Sequence, residues 1–208
     1  MKMHTKIFLV LSMLTMFFII GIGLQWRFEE RQSGYIYKEV KKGWIDSFNR
    51  IIELKGKSLD TFVNDYSCWN ETVDFAANKN LKWAKENIDA SFRAFSINAS
   101  WIYDKNYKFS YFTNNIGSKE IKNMIFLDKG LKKIFNKKRE CHFFIKSQKG
   151  IIEVRSATIQ PTSDTEKKTP IKGYFFAGRL WDESYLEDLS KLTQSEICNT
   201  FDLNFIFG

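Results

Sequence analysis

The densest run of chemically able side chains is Asp65-Tyr66-Ser67-Cys68-Trp69-Asn70-Glu71-Thr72. Asp65 and Trp69 stand four apart, as do Tyr66 and Asn70, so each pair shares one face of a helix. Two readings fit. In one, Trp69 packs on a sheet and Asp65 caps or pairs locally. In the other, the polar ends line a pocket between helix and sheet, with Trp69 as its apolar wall. Mixed lining of that kind suits a small-molecule site. Arg155 sits mid-run in the strand-like segment 151–160. It reads either as a solvent-facing residue or as an arm into a pocket, where its planar fork would pair bidentately with a ligand carboxylate. Trp83, Trp101 and Tyr103 read first as core rings. The candidate ligand contacts are Asp65, Tyr66, Trp69, Trp83, Tyr103 and Arg155.

Catalytic and metal chemistry find little to work with. There is no glycine-rich phosphate loop, no GxSxG and no HExxH. The three cysteines, Cys68, Cys141 and Cys198, have no CxxC spacing. They allow one disulfide and no framework. Cys68 reads as a buried free thiol, and Cys141 with Cys198 can bridge only if the fold brings them close. The two histidines are His4 and His142, and the first lies at the extreme N-terminus. No catalytic residue, no metal site and no cofactor is expected, and the chain as given is not read as an enzyme.

Ahead of these residues lies an anchor. Ile7 to Leu24 is a run of 18 residues without a charge, spanning roughly 27 Å as a helix, close to a hydrocarbon core of about 30 Å. Lys2 and Lys6 precede it, while the charges of Arg27, Glu29, Glu30 and Arg31 cancel after it. The bias places residues 1–6 in the cytoplasm, 7–24 in the membrane and 25–208 outside. A cleaved signal peptide is the competing reading, but the run is long and no small-x-small site follows it.

The 208 residues carry 32 Lys and Arg against 24 Asp and Glu, a net charge of +8. Two of those lysines precede the anchor, so the exported part is +6. Its basic residues are scattered among acids, which fits a solvated surface or attraction to acidic headgroups rather than nucleic acid. With 44% apolar residues the chain can bury a core, and a mean hydropathy of −0.33 excludes a polytopic membrane protein.

The elements that position the candidates follow from periodicity. Residues 26–66 read as one long helix continuing from the anchor, with Val40, Trp44, Phe48, Ile51, Ile52, Leu59, Phe62, Val63 and Tyr66 at three- and four-residue spacing. Gly34, Gly43 and Gly56 weaken it locally. A second helix is predicted around 71–92. The period then changes to that of strands at 96–103 and 107–113, joined by a three-residue loop, Asp104-Lys105-Asn106. Ser118 is placed to cap a helix, and Asp182 a short one through Leu192. Strands are expected at 141–145, 151–160 and 172–180, with the start of another in 201–208. The sum is an α+β fold: a long helix on one antiparallel sheet of about five strands.

The first motif resembles the D-Y-x-x-W-[DN]-[DE]-[TS] signature of the CHASE type 4 extracellular sensor domains. Trp83 with Glu86-Asn87, then Trp101-Ile102-Tyr103-Asp104, then Gly178-Arg179-Leu180-Trp181-Asp182 are similar to later family segments, in family order, over residues 40–205. The turn after Asp104 carries Asn106 where the family usually has glycine, and Asn tolerates left-handed geometry. The resemblance implies a PAS/Cache-like sheet, an unknown small-molecule ligand, a homodimer and a transmitter such as a histidine kinase or cyclic-dinucleotide enzyme. No second membrane helix or transmitter follows, so the chain reads as a part of such a protein. The alternative is a stand-alone anchored binding or adaptor protein docking on another membrane protein.

Overall fold

The structure is a computed structural model, and it describes residues 3–117, 120–123, 135 and 138–193. Two compact units divide the chain, Met1–Arg50 and Ile51–Gly208. The division falls inside one helix, α1 (Met3–Ser67). It extends unbroken through Gly34 and Gly43, as the apolar spacing predicts.

In the first unit, Ile7–Glu29 is long and apolar enough to cross a bilayer, with every residue of its most apolar window exposed. Trp44 stacks on Phe48, ring centroids 5.3 Å apart.

The second unit holds the last turns of α1, then α2 (Asn70–Asn78), α3 (Leu81–Ala84), a π-helical turn (Lys85–Asp89) and α4 (Ala90–Phe95). The single helix expected over 71–92 is therefore divided. Its apolar period runs on, but Asn78-Lys79-Asn80 interrupt the backbone. Lys79 adopts φ 56° and closes α2, and the Asn80 side chain accepts from the Trp83 amide to start α3. Asparagine competes with helical hydrogen bonding through its own side chain, which is why it suits ends better than interiors.

Five strands follow: β1 (Ala99–Asp104), β2 (Phe109–Asn114), β3 (Glu140–Ser147), β4 (Gly150–Ile159) and β5 (Gly173–Trp181), then α5 (Glu183–Thr193). The sheet order is β2-β1-β5-β4-β3, antiparallel throughout. The turn between β1 and β2 is one residue longer than expected. Asp104 accepts the amides of Asn106 and Lys108, and Tyr107, not Asn106, takes the positive φ of 63°. The Asp104 carboxylate closes the turn by accepting from both amides, as aspartate does at chain reversals. Asp182 caps α5 as predicted, accepting from the Tyr185 amide at 2.9 Å. Ser118, Cys198 and 201–208 lie outside the described residues, so the Ser118 cap, the Cys141–Cys198 pairing and the final strand do too.

Both faces of the sheet are covered at β4 and β5, where nearly every residue is buried. On one face Leu59, Phe62, Val63 and Tyr66 of α1 and Phe75, Ile88 and Phe92 of the shorter helices pack on Ile102, Ala157, Ile159, Phe175 and Ala177. On the other, Trp101, Tyr103, Ile152, Val154, Tyr174 and Phe176 meet Ile121 and Phe135. Each fully buried ring or branched chain contributes about 1.5–3 kcal/mol relative to exposure.

Candidate functional site

The first motif turns out to be a joint. Tyr66 is buried and stacks on Trp69 with ring centroids 4.2 Å apart. Its hydroxyl meets the Asn87 carbonyl at 3.3 Å and the Ser91 hydroxyl at 2.5 Å, tying the end of α1 to the π-helical turn and α4. The chain after β4 clasps the same end. The Gln160 amide donates to the Ser67 carbonyl, the Thr162 hydroxyl to the Cys68 carbonyl at 2.7 Å, and the Thr162 amide to Asn70 Oδ1. Asp65 is exposed, and its carbonyl accepts from the Cys68 amide in the closing turn.

The six candidate residues do not share a pocket. Tyr66, Trp69 and Trp83 belong to the helix-covered face, where Trp83 stacks on Phe75 at 5.4 Å. Tyr103 lies on the opposite face, edge-on to Phe109 and Phe176, and burial pushes its hydroxyl up to about 12. Arg155 is buried, not solvent-facing, and its fork is already occupied. Nη2 meets Glu53 at 3.1 Å, Nη1 meets Asp60 at 3.3 Å, and Nε meets Glu153 at 3.4 Å. Each of its three nitrogens already meets a carboxylate of the protein itself.

Those contacts make a charged seam between α1 and the sheet. Glu153 is fully buried and is also met by His142 Nε2 at 3.2 Å and the Trp181 indole at 3.4 Å. Burial by itself raises the Glu153 carboxyl, but His142, Arg179 and Arg155 together outweigh it and hold the group below the usual carboxylate range. Burial likewise opposes the Arg155 charge, and Glu53, Glu153 and Asp60 more than restore it.

The second unit has an open cleft of about 850 Å³, flanked by the last turns of α1, the end of α4, the open ends of β1, β2 and β5, and α5. One wall is built by Arg179, which is 4% exposed. Its Nη1 donates to the Lys55 carbonyl at 2.6 Å, its Nη2 to the Ser58 hydroxyl and the Phe95 carbonyl, and its Nε to the Ser96 carbonyl. A single guanidinium on β5 thus holds the α1 backbone and the C-terminal carbonyls of α4, groups a helix end leaves unpaired. Lys55 bridges to Asp188 on α5 at 3.4 Å and lies 4.7 Å from the Tyr185 ring centre. Burial, then the charge of Glu153, pushes the Tyr185 hydroxyl up to about 12, so it stays neutral. Arg93, Asn98, Asn115 and Ser184 complete a polar lining over an apolar floor that includes Ile97.

None of the six candidates lines this cleft. The residue that organises it, Arg179, stands in the Gly178-Arg179-Leu180-Trp181-Asp182 segment, which carried a signal in the sequence but was not read as a site. The segment does three jobs. Arg179 grips the helices, Trp181 reaches Glu153, and Asp182 starts α5.

The chain thus joins a helix long and apolar enough at one end to cross a membrane with an α+β body on one open antiparallel sheet. Residues 51–198 match the CHASE4 domain model, and the chain belongs to the CHASE4 family. No curated protein matches the chain.

Proposed function

We propose that the chain is the signal-receiving part of a membrane receptor. It binds a small molecule in the cleft and passes the resulting change along α1 to a transmitter on the other side of the membrane. The single observation that carries this reading is the grip of Arg179 on Lys55 and Ser58. The same residues line the cleft, so a ligand that alters their packing acts on the helix that also carries the apolar span. Only a ligand with different affinity for two arrangements of that helix can signal. The role is binding and not catalysis.

Lys2 and Lys6 ahead of the span favour a cytoplasmic N-terminus with the sensor body outside the cell. The transmitter is of the histidine kinase or cyclic-dinucleotide class, and the receptor works as a homodimer, as the resemblance implies. The test is a chimera carrying a known kinase transmitter, with Ala90→Trp introduced to fill the cleft from its exposed α4 position. The expected result is loss of ligand response with the domain still folded. An unchanged response overturns the cleft as the signal site.

A further inference from the structure

We infer that the cleft takes a small molecule bearing a single carboxylate, and that Arg93 on α4 is the residue that reads it. The inference rests on the cleft being the binding site and adds the chemical class of its ligand.

The argument comes from which charges are already engaged. Six charged residues line the cleft, three cations (Lys55, Arg93, Arg179) and three carboxylates (Asp89, Asp182, Asp188). Asp89 accepts from the Tyr111 hydroxyl at 2.9 Å. Asp182 caps α5, and Asp188 holds Lys55. Arg179 spends its fork on the two helices. Arg93 is the exception: it is exposed, and among the described residues its guanidinium has no hydrogen-bond or ion-pair partner.

A guanidinium is a planar fork that matches a carboxylate with two parallel hydrogen bonds. The three carboxylates in the lining disfavour a multiply charged anion, so one negative charge is the best match. Uncharged donors and acceptors nearby, among them Asn115 and Ser184, suit the polar remainder of a small ligand. Arg93 is one turn from Ser96, where α4 ends in a left-handed residue whose carbonyl Arg179 holds. A carboxylate on Arg93 therefore pulls on the element that Arg179 ties to α1.

The experiment uses the full chain in lipid nanodiscs, with thermal unfolding followed against sodium salts of two- to six-carbon monocarboxylic acids. The corresponding amides and inorganic phosphate are run alongside. Carboxylates are expected to raise the midpoint in a saturable way, while their amides and phosphate do not. Arg93→Gln is expected to weaken half-saturation by about tenfold or more, with Arg93→Lys in between and the ligand-free midpoint unchanged. Equal shifts from the amides, or Arg93→Gln binding as tightly as the parent, overturn the carboxylate assignment and leave the cleft reading standing. A panel without any saturable shift overturns the assignment as well. Failure of the cleft itself has a different signature, the Ala90→Trp chimera responding unchanged.

Discussion

Gly56 of α1 lies directly against the guanidinium of Arg155: a Cβ built on Gly56 would stand 2.7 Å from Arg155 Nη2. It would also stand 2.9 Å from Glu153 Oε1. The glycine is the clearance through which the charged seam passes under the helix. In an exposed helix interior, Ala in place of Gly gains about 1 kcal/mol. Here that gain is opposed by displacement of a buried ion pair, where breaking a partner costs about 3–5 kcal/mol. Gly56→Ala is therefore expected to lower stability by about 2 kcal/mol, read as a lower midpoint in denaturant. A stabilised variant would show that the seam yields freely.

Arg179 is expected to matter for coupling as well as for folding. Arg179→Met keeps the apolar stem and removes every donor to Lys55, Ser58, Phe95 and Ser96. Several buried acceptors then lose a partner, at about 1–3 kcal/mol each. The expected outcome is a loss of about 3 kcal/mol and faster amide exchange at 55–58 and 93–97, measured by hydrogen exchange. Protection unchanged in those two segments would refute the clamp.

The pH response of Glu153 has a definite sign. Folding lowers this carboxyl through His142, Arg179 and Arg155 in spite of burial. A group lowered on folding contributes stability above its unfolded value, about 4.3. That contribution is lost as pH falls through the folded value. Unfolding free energy is expected to drop on acidification below about pH 4. Glu153→Gln is expected to be less stable at pH 7 by about 3 kcal/mol and to show a shallower acid slope. The check is a set of urea titrations from pH 7 to 3; parallel slopes for parent and variant would remove Glu153 from the account.

The motif at the end of α1 is expected to behave as structure. Tyr66→Phe removes the bonds to Asn87 and Ser91 and keeps the ring stack on Trp69. The expected cost is about 1 kcal/mol, with ligand response intact in the chimera. Trp69→Ala removes the stacked ring and is expected to cost about 3 kcal/mol. A selective loss of response in Tyr66→Phe at unchanged stability would return this motif to the binding site.

Much of the fold was legible because its signals are local. Strand alternation places all five described strands within a few residues, Asp182 announces its helix, and the apolar period carries α1 to Tyr66, one residue short of its end. Asn78-Lys79-Asn80 were also a local signal, overridden by an apolar period that continued across them. Arg155 reads from sequence as solvent-facing or as an arm into a pocket, and neither reading reaches its partners on α1, Glu53 and Asp60, which are about a hundred residues away. Gly56 was read as a weakness in a helix, when it marks a close approach that only tertiary structure reveals. The cleft was hidden for the same reason. Lys55, Arg93, Asn115 and Tyr185 are brought together by topology, and nothing in their spacing announces it.

The strand order has a mechanical consequence. β5 is the middle strand of five, hydrogen-bonded to β1 on one side and β4 on the other and buried on both faces. Arg179 therefore projects from the part of the sheet with the most restraints and the least room to move. Against it stand α4, six residues long, and the end of α1, each held to Arg179 through a few polar contacts. One side chain thus refers both helices to the strand that is itself fixed on two sides.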